Sequence, residues 1–117
     1  MPATGLGGPW ALTQSQVNAH AKESIGTYAL GYVRSDNDRF VVQYVGRSDE
    51  NLNSRLHDWL NTKYKHFKCG HFQTAGGAFD KECRIYHDFS PSGNKVHPAR
   101  PKGSNRPCPI SGCEELD

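Results

Sequence analysis

Two sets of residues have the types and spacing that chemistry needs. The first holds soft ligands. Cys83 and His87 are four apart, so a helix would present both on one face. Cys108 and Cys113 flank a Pro-Ile-Ser-Gly turn. Together they form Cys-x3-His…Cys-x4-Cys, a set suited to tetrahedral zinc. A disulfide between Cys108 and Cys113, or free thiols, is the alternative; Cys69 with His71 is another ligand pair, and His97 a substitute ligand. The second set holds Tyr28, Tyr44, Arg55 and Glu82. Two phenols held side by side can handle a proton if a neighbour tunes them, and Arg47 is in sequence reach to do so. A guanidinium fork fits a phosphate, and a carboxylate holds a hard cation such as Mg²⁺. Singly, each of these has an ordinary structural explanation, such as cross-strand packing for the tyrosines.

These residues need elements to position them. Residues 1–9 are rich in Gly and Pro and read as loose, and Thr13 is a plausible N-cap for a polar helix to about Ala21. Thr27 to Val33 and Phe40 to Val45 are β-branched and aromatic runs joined by a polar loop, which predicts an antiparallel hairpin. In such a pair, Tyr28 and Tyr44 project to one face. Asp49 or Asn51 caps a helix predicted to run to about Lys63, its apolar face made by Leu52, Leu56, Trp59 and Leu60. Tyr64 to Gln73 reads as a third strand. Ala75-Gly76-Gly77 reads as a break before a helix from about Ala78 to Phe89. The expectation is an α+β fold with a small three-stranded antiparallel sheet flanked by helices and an irregular tail clipped by zinc. It divides into an extension (1–24), a core (25–95) and a basic Cys-containing tail (96–117), all one domain.

The chain has 117 residues and a hydrophobic fraction of 35%, so its core must be thin. Lys and Arg number 14 against 12 Asp and Glu. The bases are unevenly placed: Lys63, Lys65 and Lys68 fall in one acid-free stretch, and Arg100, Lys102 and Arg106 in another. Two such stretches suit a polyanion such as nucleic acid. No apolar run approaches a membrane span, and no signal peptide is evident, so the expected location is the cytoplasm.

Gly26-Thr27-Tyr28 opens the first hairpin strand and Tyr44-Val45-Gly46 closes the second. With Arg55, Glu82 and Asn94 following in order, residues 25–95 resemble the GIY-YIG nuclease superfamily. The resemblance implies an endonuclease that hydrolyses phosphodiesters in line, with one metal and with DNA preferred over RNA. It implies Tyr28 as general base and Tyr44 as its partner and phosphate contact. Arg55 and Arg47 would stabilise charge, and Glu82 would hold Mg²⁺ or Mn²⁺. Asn94 would close the constellation by bonding to Glu82's surroundings or to the loop. The sequence departs from the family pattern at Thr27, where isoleucine is usual. It departs again at Trp59, where many relatives carry His or Tyr; His66 or His71 is then expected to supply an imidazole. The competing expectation is a zinc-containing nucleic-acid-binding module without catalysis. Specificity would come from a dimer or a protein partner, and a role as a toxin would require an inhibitor protein.

Overall fold

The computed structural model describes residues 4–94, 97–101 and 107–110. The elements run β1 (Gly7–Ala11), α1 (Gln14–His20), β2 (Gly26–Val33), β3 (Phe40–Ser48), α2 (Leu52–His57), β4 (His66–His71) and α3 (Ala75–Phe89). The strands form an antiparallel sheet in the order β1-β4-β2-β3. Among the described residues, no helix is long and apolar enough to cross a membrane.

The sheet has four strands where three were expected. The added strand, β1, comes from the Gly- and Pro-rich stretch that reads as loose. It pairs with β4 at the sheet edge, where Pro9 removes no needed ladder donor. Its anchor is Trp10, which stacks on the His20 ring at 3.7 Å and packs on Phe67 at 5.6 Å. Tertiary packing of one aromatic residue therefore overrides a poor strand composition.

Helices cover both faces of the sheet, and alternation along β2 shows how. Tyr28 and Leu30 face α1 and α2, packing with Val17, Leu52 and Leu56. Ala29 faces α3, beside Val42, Val45 and Ile85. Thr27 also faces α3, and its hydroxyl donates to the Ala78 carbonyl at 2.7 Å. That bond gives a buried hydroxyl its partner where an isoleucine would need none.

The helix boundaries differ from those expected. Helix α2 stops at His57, because Trp59 and Leu60 bond back only three residues, to Leu56 and His57. Asn61 then takes φ 63°, and Thr62 Oγ1 donates to the Trp59 carbonyl at 2.6 Å. Helix α3 begins a turn early, at Ala75, because Thr74 caps it by accepting from Gly77 N at 3.0 Å. Asn51 caps α2, accepting from Ser54 N.

Replacing Trp10 by Ala should cost about 2–3 kcal/mol of stability, read from urea unfolding, because it removes the aromatic anchor of β1. A loss below about 0.5 kcal/mol would show that β1 contributes little to holding the fold.

Candidate functional site

The β2–β3 hairpin places Tyr28 opposite Gly46 and Leu30 opposite Tyr44. Tyr28 and Tyr44 are thus diagonal neighbours on one face, with ring centroids 6.4 Å apart. Gly46 is required there for space: a Cβ on it would fall on the Tyr28 ring and phenol oxygen. The same face carries Trp59, 4.7 Å from Tyr44, and Tyr64, 5.6 Å from Trp59. Trp59 Nε1–H donates to the Tyr28 hydroxyl at 2.9 Å. At the position where the family pattern has His or Tyr, this chain thus has a group that can only donate.

Burial pushes the Tyr28 phenol far above its ordinary value, and the bond from Trp59 offsets only part of that. Burial raises Tyr44 as well, with the Glu82 charge adding to it. Arg55 pulls both phenols down, but by less. The expectation that a nearby cation, Arg47, lowers the Tyr28 value is therefore corrected: desolvation dominates, and Tyr28 is a neutral phenol at pH 7.

Arg47 and Thr27 are register partners, so Arg47 leaves β3 on the α3 side. There its Nη1 donates to Glu82 Oε1 at 2.8 Å and to the Ala99 carbonyl at 2.7 Å. Its Nε and Nη2 donate to Asp49. The guanidinium also lies 5.4 Å from the Phe79 ring centroid. Burial works against its charge, but the bonds to Asp49 and Glu82 outweigh that and raise its value. For Glu82, burial wins over the pull of Arg47, and its carboxyl is pushed up to about 7. Among the described residues no hydrogen bond takes its second oxygen, Oε2.

Arg47, Asp49 and Glu82 meet in a cleft of about 380 Å³ at the end of β3, which neither Tyr28 nor Tyr44 lines. It is lined by Arg47, Ser48, Asp49, Arg55, Glu82 and Ala99, among others. Arg55 reaches it from α2 and Glu82 from α3. The lining thus draws on helices from both faces of the sheet, around the end of its edge strand. Asp49 is a cleft residue that sequence reasoning took only as a helix cap; its proximity to Arg47 was the available signal.

Other predicted residues lie elsewhere. Asn94 pairs with the Val45 main chain, accepting from N at 2.8 Å and donating to O at 2.9 Å. It does not line the cleft. Neither His66 nor His71 lines the cleft: His71 accepts from Lys22 N, and the buried Nδ1 of His66 has no hydrogen-bond partner among the described residues. Lys63 and Lys68 lie near the Tyr64 and Phe40 rings, and neither they nor Lys65 line the cleft. Arg100 is half-buried, whereas Lys102 and Arg106 lie outside the described residues.

The second constellation gathers on the other side of α3. Cys83, His97 and Cys108 offer ligand atoms within 4.8 Å of one another. The Cys108 sulfur is 3.5 Å from His87 Nε2. Cys113, the fourth expected ligand, lies outside the described residues. Cys69, Cys83 and Cys108 are free thiols, and burial pushes Cys69 up to about 11, so it is unreactive at neutral pH.

A solved structure is similar in fold: the GIY-YIG N-terminal endonuclease domain of UvrC from Thermotoga maritima, bound to its catalytic divalent cation, magnesium. The match has a TM-score of 0.54 and 18% identity, covering 70% of this chain and 99% of that one. The chain has a GIY-YIG-like fold. No protein-family model and no curated protein matches its sequence.

Gly46→Ala should destabilise the protein by about 1–3 kcal/mol, measured by thermal denaturation, because the new methyl displaces the Tyr28 ring. An unchanged melting temperature would mean that the ring does not lie over Gly46.

Proposed function

We propose that the chain is a metal-dependent endonuclease that cleaves phosphodiester bonds, with DNA the preferred substrate. The observation that carries this is the cleft itself. On a GIY-YIG-like fold, Glu82 and Arg55 line one cleft, and the charges of both reach Tyr28 and Tyr44, which lie outside its lining.

The donor set fits a hard divalent cation. Among the described residues Glu82 Oε2 takes no hydrogen bond, and Asp49 lines the same cleft with a second carboxylate. Glu82 would hold Mg²⁺ or Mn²⁺, which supplies charge stabilisation to the phosphate and to the leaving oxygen. Arg55 is exposed at the cleft and offers its fork to a phosphate. Arg47 is held by Asp49, Glu82 and Ala99, so its first task is to aim Glu82, and its charge reaches the phosphate from behind that carboxylate.

Tyr28 acts as base in a relay. Its oxygen accepts from Trp59 and keeps capacity for one more proton, while its own O–H is the donor that remains. As water attacks phosphorus, its proton passes to the Tyr28 oxygen and the Tyr28 proton passes to a phosphate oxygen. The P–O bond to the leaving sugar oxygen breaks, and that oxygen is protonated by solvent. Tyr44 orients the same phosphate. Asn94 positions β3, and Lys63, Lys65, Lys68, Arg100, Lys102 and Arg106 bind the nucleic-acid backbone. The location proposed is the cytoplasm, with a dimer or protein partner lending specificity.

One observation favours a second reading, a nucleic-acid-binding module without catalysis: Tyr28 is buried and its oxygen is already engaged by Trp59. Plasmid nicking separates the two. With Mg²⁺ or Mn²⁺, the wild type should nick supercoiled DNA. Glu82→Ala should lose activity by a factor of about 10³ or more, and Arg55→Ala by about 10². Intact plasmid with both cations, alongside a mobility shift at low salt, would leave the binding module standing instead.

A further inference from the structure

The side of α3 beyond the cleft carries a set of residues that the nuclease chemistry does not use. Cys83 and His87 are one helical turn apart on α3, which extends from Ala75 to Phe89. After α3 the chain reverses through Ser90 at φ 45° and returns past β3. Gly93 N donates to the Gln43 carbonyl at 2.6 Å, and Asn94 clamps Val45. This return brings His97 and then Cys108 back against α3.

We infer that Cys83, His87, His97 and Cys108 form a tetrahedral zinc site that fastens the tail against the catalytic cleft. The fourth ligand is thus His97, in place of Cys113.

One spacing fits this metal directly, whereas His87 stands outside the group that Cys83, His97 and Cys108 form within 4.8 Å, so its ring must move inward to close the tetrahedron. With Zn–S about 2.3 Å and Zn–N about 2.0 Å, a tetrahedron puts sulfur and nitrogen about 3.5 Å apart. Cys108 Sγ and His87 Nε2 are 3.5 Å apart. The ligand atoms of Cys83, His97 and Cys108 also fall within 4.8 Å of each other. The imidazoles of His87 and His97 have centroids 5.4 Å apart, and the Tyr86 ring packs edge-on against both. His97 Nδ1 lies 2.9 Å from the Pro98 carbonyl. A ring that donates Nδ1–H to a carbonyl keeps its lone pair on Nε2, the usual support for a metal-bound histidine. Two thiolates and two neutral imidazoles make a closed set with no open position, so the site is structural rather than catalytic.

The site has a consequence for the cleft. His97 is two residues before Ala99, whose carbonyl accepts from the same Arg47 nitrogen that holds Glu82. Cys83 directly follows Glu82 on α3. The metal therefore pins both the helix that carries Glu82 and the strand of tail that braces Arg47. The tail from Ser90 onward is poor in apolar residues and gains from zinc what a core would otherwise supply. This link to cleavage rests on the nuclease reading; the zinc site does not.

Elemental analysis and cobalt substitution test the site independently of activity. The full chain, purified without chelator, should carry about one equivalent of zinc. Cobalt in its place should give the intense visible bands of a tetrahedral site with thiolate charge transfer. His97→Ala and His87→Ala should each bind zinc at least about tenfold more weakly in competition with a chromogenic chelator. Cys113→Ser should bind as the wild type does, and Glu82→Ala should keep its zinc while losing cleavage. Less than about a tenth of an equivalent of zinc in folded wild type would overturn the site. Loss of zinc in Cys113→Ser with full retention in His97→Ala would overturn this ligand set. Should cleavage survive complete zinc removal, the link to the cleft fails while the nuclease reading stands.

Discussion

Arg47 lies nearly shielded at the end of β3 and bonds to two carboxylates and a carbonyl. Those acceptors belong to different parts of the chain: Asp49 to the loop after β3, Glu82 to α3, and Ala99 to the tail. The Arg47 and Glu82 side chains are each only 10% exposed. Removing one partner from such a pair leaves an unmatched charge in a poorly solvated place, at a cost of about 3–5 kcal/mol. The cleft therefore has its shape because one guanidinium holds its walls together. Apolar residues of similar size would hold the walls with no desolvation cost, so the charged arrangement is not explained by stability alone.

The sheet makes this arrangement reachable. Its central strands bury both faces, so chemistry cannot sit over the middle. The end of the edge strand β3 is where a residue on the α3 side and a helix on the α2 side can line one cleft. Edge strands carry unpaired main-chain groups, and here Gly93 and Asn94 cover those of Gln43 and Val45. The segment that covers the edge also continues into His97 and Ala99. One stretch of irregular chain thus seals the sheet, braces Arg47 and contributes to the cysteine–histidine cluster.

How much of this was legible in the sequence depended on the range of each interaction. The hairpin was legible because strand alternation and turn residues are local signals, and they place Tyr28 and Tyr44 on one face. The pairing of Cys83 and His87 was legible for the same reason, since helical spacing is local. Strand β1 was not legible, because Gly7, Gly8 and Pro9 have no strand preference, and pairing with β4 and the contacts of Trp10 with His20 and Phe67 hold them. The engagement of Arg47 by Glu82 spans 35 residues and has no local trace. His97 was visible only as a substitute ligand, because the chain between His87 and His97 follows no regular period. The altered state of Tyr28 was the least legible: Trp59 was evident as a departure, but its bond to the phenol and the burial around it are tertiary facts.

Anomalous scattering from crystals grown with Mn²⁺ locates the divalent cation without relying on turnover. If Glu82 is the metal-binding carboxylate of a nuclease site, a strong peak lies against its Oε2, inside the cleft lined by Arg55 and Asp49. Peaks elsewhere on the molecule, with none at Glu82 at saturating Mn²⁺, would contradict the assignment of this cleft as the site of cleavage.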